Sequence, residues 1–62
     1  MITEYHCTFV KRNKIVGKYI LSHVPRECDT VRINNELYIV DSVTWDFDSQ
    51  VGNTVSVVVF VK

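Results

Sequence analysis

Apolar and polar residues alternate along most of this chain with a period of two, the spacing of strands that keep one face in a core and one in water. Over residues 3–10, Tyr5, Cys7 and Phe9 fall on one side and Glu4, His6 and Thr8 on the other. The polar run Lys11-Arg12-Asn13-Lys14 then predicts a hairpin turn, with Asn13 suited to a left-handed backbone. A second strand follows over 15–24, but its alternation is poor. Ile15, Tyr19 and Leu21 share one face; Val16, Ile20 and Val24 share the other. Apolar residues on both faces point to a central or curled strand, and Gly17 to a bulge or sharp bend within it.

Pro25 ends that strand, because it has no amide proton for a ladder. A loop over 25–29 leads to a third strand at 30–34, with Val31 and Ile33 inward and Arg32 outward. Asn34-Asn35 is a tight-turn signal. A fourth strand starts near Glu36, where Tyr38 and Val40 share a face, but the next apolar set is Val43, Trp45 and Phe47. The parity slips by one, and a bulge at Asp41-Ser42 reconciles the two sets while letting one long strand bend. Residues 49–53 read as the last turn, with a short 3₁₀ turn over 48–51 as the single helical signal. The final strand, 54–61, aims Val55, Val57, Val59 and Val61 at a core and leaves Val58 and Phe60 outside.

These elements predict an all-β fold: a small five-stranded antiparallel barrel or strongly bent sheet, with strand order following the chain and the last strand closing on the first. Its core should draw on Tyr5, Cys7, Phe9, Ile20, Leu21, Val31, Ile33, Tyr38, Val40, Val43, Trp45, Val55, Val57 and Val59. Sixty-two residues make a single domain spanning 1–62. A chain this short hides roughly 60% of its unfolded surface, so its stability is only a few kcal/mol.

The stretch 25–43 resembles small barrels of the Src-homology-3-like kind, which often carry Pro-x-x-Gly-Asp-x-Val-x-Ile, a turn, and Tyr-x-Val-x-x-Val. Pro25, Asp29, Val31, Ile33, Tyr38, Val40 and Val43 occupy those places, and Cys28 stands where glycine is usual. The continuation Thr44-Trp45-Asp46-Phe47 is similar to short proteins of tailed bacteriophages. The resemblance implies a barrel fold and a viral origin, and its motifs carry no catalytic residue.

The formal net charge is zero, so the whole molecule exerts no long-range pull on nucleic acid or acidic membranes. The halves differ: residues 1–32 carry Lys11, Arg12, Lys14, Lys18, Arg26 and Arg32 against Glu4, Glu27 and Asp29, and residues 33–62 carry Lys62 against Glu36, Asp41, Asp46 and Asp48. The basic group at 11–18 is the part expected to survive folding as a local patch. No run approaches the ~20 apolar residues of a membrane span, and no secretory signal is visible, which predicts a cytoplasmic protein without a membrane partner. Cys7 and Cys28 are too few for a disulfide scaffold and read as free thiols.

Catalysis and metal binding find little support. His6 and Cys7 are strand neighbours on opposite faces, Ser22-His23 is poor triad geometry, and Asp46 and Asp48 read as a solvated face beside Trp45 and Phe47. No catalytic residue, cofactor or metal is expected. Two binding classes remain. The first is a non-enzymatic accessory protein that binds a host or phage protein, or itself, through Tyr19, Val58 and Phe60 beside the basic hairpin. The second is a single-stranded nucleic-acid binder using Lys11, Arg12, Lys14, Lys18 and Arg32.

Overall fold

The computed structural model describes residues 4–62. Five strands, β1 (Glu4–Lys11), β2 (Lys14–Leu21), β3 (Thr30–Ile33), β4 (Glu36–Val51) and β5 (Thr54–Val61), form one nearly closed, barrel-like sheet. The expected all-β five-stranded architecture holds. Residue 3 of the expected first strand lies outside the described residues.

The sheet order β2-β1-β5-β4-β3 is chain order read around a ring that opens between β2 and β3. Three of the four pairings are antiparallel, as expected, and the fourth, β1 with β5, is parallel. An up-and-down meander with an odd number of strands leaves its first and last strands pointing the same way. Closing the ring on those two forces a parallel contact.

That closure makes β5 the central strand, hydrogen-bonded on both sides, and its inward valines form the axis of the core. Val55, Val57 and Val59 are completely buried, and Cys7, Phe9, Ile33, Tyr38, Val40 and Val61 surround them. Tyr5, Leu21, Val31 and Val43 are half-buried against this cluster.

Three register shifts interrupt the sheet, one of them between Asp46 and Val51 in β4, and the other two set the phase of its core. In β4, Val40 pairs with Val61 and Ser42 with Phe60, so Asp41 is the extra residue, and the parity slip read from the sequence lies where it was placed. In β2, Phe9 faces Gly17 and Val10 faces Ile15, leaving Val16 unmatched beside the predicted glycine. This second bulge corrects the expected core. Ile20 stands opposite His6 on the outer face and is 62% exposed. Tyr19 takes the inner register opposite Cys7, edge-on to Phe9 at 5.9 Å between ring centroids. Its ring lies over Gly17, where a Cβ would come within 2.7 Å of Tyr19 Cε2. The glycine leaves room for the aromatic that covers it.

The turns follow their residue types. Arg12 and Asn13 both have positive φ (49° and 64°), as do Asn34 and Asn35 (52° and 67°), the requirement of type I′ hairpins whose twist matches the strands they join. The last turn is shorter than expected. β4 continues to Val51, which pairs with Thr54, so Gly52-Asn53 alone reverses the chain and residues 48–51 are strand rather than 3₁₀. Likewise β2 ends at Leu21, ahead of the expected 24.

Residues 22–29 lead from β2 to β3 at the open seam. The Asp29 amide donates to the Arg26 carbonyl at 3.0 Å, and the Arg26 amide to Asp29 Oδ2 at 2.8 Å. The Cys28 amide donates to the Val40 carbonyl and the Val40 amide to the Asp29 carbonyl, both at 2.8 Å. Cys28 sits third in this four-residue turn at φ 74°, the left-handed position of a type II turn that normally takes glycine. An L-residue there costs ~1–2 kcal/mol, of which a glycine returns part to the unfolded chain. Cys28→Gly should therefore raise stability by about 0.5 kcal/mol, and Cys28→Val should lower it by at least ~1 kcal/mol. Urea unfolding followed by circular dichroism measures both, and a Cys28→Val protein as stable as the parent would contradict this account of the loop.

Candidate functional site

The end of the barrel next to the β4–β5 hairpin lacks a cover, and the largest aromatics gather there. Register places Trp45 opposite Val57, inward as expected, but the rings that meet it, Tyr5 and Phe47, leave it partly in water. Trp45 stays 42% exposed and Phe47 58%. This corrects the expected core position of Trp45. The two rings stack nearly parallel, 5.9 Å apart with 10° between their planes. Tyr5 meets Trp45 edge-on at 5.5 Å and 89°. Both separations lie within the range of favourable aromatic pairs.

Beside this cluster runs an open groove of about 750 Å³. Tyr5, Val43 and Trp45 form one side and residues 22–27 the other, with His23, Arg26 and Glu27 contributing polar groups. The groove therefore has an aromatic wall facing a mixed polar rim. The 22–29 loop positions that rim, since the backbone bonds from Cys28 and Asp29 to Val40 tie it to β4.

The residues singled out from the sequence do not form one surface. Val58 and Phe60 lie on the outer face of β5, Val58 half-buried and Phe60 39% exposed, whereas Tyr19 takes the opposite, inner register of β2. Phe60 instead continues a row across the sheet with Val10 and Ile15, its neighbours by register on β1 and β2. Because β5 pairs on both sides, it has no free edge, and strand addition there is closed off. The exposed edges belong to β2 and β3. β2 carries a bulge, Lys14 and Lys18, and β3 is four residues long, devices that discourage edge-to-edge pairing.

The basic residues also separate. Lys11, Arg12 and Lys14 share the β1–β2 turn, with Lys11 Nζ 5.2 Å from the centroid of the Tyr38 ring. Lys18 lies on the outer face of β2, and Arg32 on β3, across the seam. None of the five lines the aromatic groove.

Trp45, like Ile20, is a residue that alternation alone placed in the core. The available signal was its position in the second half of a strand longer than its neighbours, where a barrel wall outruns its cover. Among the described residues, no three His, Cys, Asp or Glu side chains converge. Tyr38 donates to Glu36 Oε2 at 3.0 Å, and this bond pushes the phenol pKa up. Comparison with protein families, with curated proteins and with solved structures found no significant match.

The two thiols differ in reactivity. Burial pushes the Cys7 pKa up, while Cys28 is exposed in its loop, and both are free. One thiol per chain should react quickly with a disulfide reagent at neutral pH, and Cys28→Ser should remove that phase. Cys7 should react only through opening of the sheet, at a rate that rises with urea. Two fast thiols in the native protein would contradict the buried position of Cys7.

Proposed function

We propose that this chain is a non-enzymatic accessory protein that holds an extended segment of a partner protein in the groove between Tyr5, Val43 and Trp45 and residues 22–27, with Phe47 stacked on Trp45 beside it. The observation that carries this reading is the stacked Trp45–Phe47 pair left in water. Burying side chains of this size contributes ~1.5–3 kcal/mol each. A domain with only a few kcal/mol of stability forgoes that gain at its most aromatic point, which is reasonable where a ligand supplies the missing cover. The groove is open to solvent rather than enclosed, so it suits a chain laid across it better than a small molecule covered on most sides. The partner class proposed is a host or phage protein, as the resemblance of residues 44–47 to short phage proteins implies. Phe60, with Val10 and Ile15, offers a smaller second contact on the outer face, and Tyr19 belongs to neither surface.

The nucleic-acid reading has less support. Stacking of bases needs aromatics and cations on one surface, whereas here the rings and the basic turn occupy separate parts of the molecule.

Trp45 is the sole tryptophan, so its fluorescence reports on the site directly. Trp45→Ala and Phe47→Ala should each lower recovery of a specific host or phage protein in affinity capture by at least ~10-fold, the effect of losing ~1.4 kcal/mol. Circular dichroism should stay unchanged, and Phe60→Lys should have a smaller effect. Undiminished capture by both groove variants would sink the proposal. Labelled oligonucleotides at low salt should leave the Trp45 emission unmoved. A shift that disappears steeply with added salt would favour the nucleic-acid reading instead.

A further inference from the structure

The neutral net charge conceals two opposite ends. Several charges are offset locally: Lys62 pairs with Asp41 at 3.5 Å, Arg26 neighbours Glu27 and Asp29, and Arg32 and Glu36, opposite Leu37 and Ile33 and on different faces of the sheet, both lie at the short β3–β4 hairpin, where their charges sum to zero. Lys18 stands alone on the outer face, midway along β2. What remains is Lys11, Arg12 and Lys14 at the β1–β2 turn, and Glu4, Asp46 and Asp48 toward the β4–β5 hairpin. β1 runs from Glu4 at one end to Lys11 at the other. At ~3.3 Å per residue that separates them by ~23 Å, more than two Debye lengths at physiological salt. The two clusters therefore do not cancel within one molecule.

We propose that a second copy of this chain docks its basic β1–β2 turn onto the acidic, aromatic end of the first, giving head-to-tail association. The chemistry of the two surfaces is complementary. Arg12 and Lys14 are exposed cations on a two-residue turn, whose positive φ values fix its shape. The Trp45–Phe47 stack is an exposed π surface, and a guanidinium over tryptophan is the strongest of the common cation–π pairs. Glu4, Asp46 and Asp48 add a negative field at that end, with Glu4 and Asp46 on the outer face, opposite to the face that carries Tyr5 and Trp45. Because the two patches differ, the contact is heterologous, and each copy keeps one free end of each kind for a further copy. It also overlaps the Trp45 wall of the groove, so self-association and partner capture compete. The inference does not need the partner reading, and either can fail alone.

Sedimentation velocity on the full chain tests it. The weight-average mass should rise with protein concentration at low salt and fall to that of the monomer at ~0.3 M sodium chloride, where screening is short-ranged. Arg12→Glu/Lys14→Glu alone, and Glu4→Lys/Asp48→Lys alone, should each be monomeric under the conditions in which the wild type associates. An equimolar mixture of the two should associate again, because each then presents a complementary end to the other. Trp45→Ala should weaken wild-type association at least ~3-fold, near the low end of cation–π energies. A wild type that is monomeric at millimolar concentration in low salt would overturn the proposal. So would association that strengthens with salt, which points to the Phe60 row, or a mixture of the two charge variants that stays monomeric.

Discussion

Everything in this fold depends on a single strand having both of its neighbours. β5 contributes three completely buried valines, and they stay dry only while β1 lies on one side and β4 on the other. The β1–β5 contact joins the two ends of the chain and is the one pairing no short turn supplies. It fixes the sheet's curvature, the location of the seam and the identity of the free edges. A chain of this length has no second core to replace it.

Much of this arrangement is legible from the order of residues, and the errors have a common cause. In β4 the slip at Asp41 announces itself because clear apolar pairs lie on both sides of it. In β2 the slip at Val16 is hidden, since Ile15, Val16, Ile20 and Leu21 are all apolar and either phase looks acceptable. The bulge decides, and it carries Ile20 to the outside. The paired asparagines and Gly52 announce turns because only a few residue types tolerate positive φ. Cys28 gives no such signal, and its left-handed backbone is imposed by the bonds between its turn and Val40.

The candidate site was unreadable for a different reason. Alternation tells which face of a strand a side chain occupies but not whether anything covers that face. Trp45 has the parity expected of a core residue, yet the wall it stands on extends past the residues that fill the barrel. Charge is similar. Counting residues gives zero, and dividing the chain into halves suggests only that basic and acidic residues are unevenly spread. The register of β1, β4 and β5 is needed to see that the uncompensated cations and anions lie at opposite ends.

These features bear on one another through stability. A small barrel gains most by burying its largest rings, and this one instead keeps a tryptophan and a phenylalanine at an open mouth while holding a cysteine in a backbone region that disfavours it. Both features adjoin the same groove: Trp45 forms part of its wall with Phe47 stacked on it, and the Cys28 turn anchors the loop that forms its rim. Backbone strain and exposed rings beside one groove lower the stability of the isolated chain and raise what a ligand gains by covering them. A competing contact with the basic turn of another copy would cover the same rings at low ionic strength. Occupancy of the groove would then depend on salt and on the concentration of the chain itself, even though the molecule as a whole is neutral.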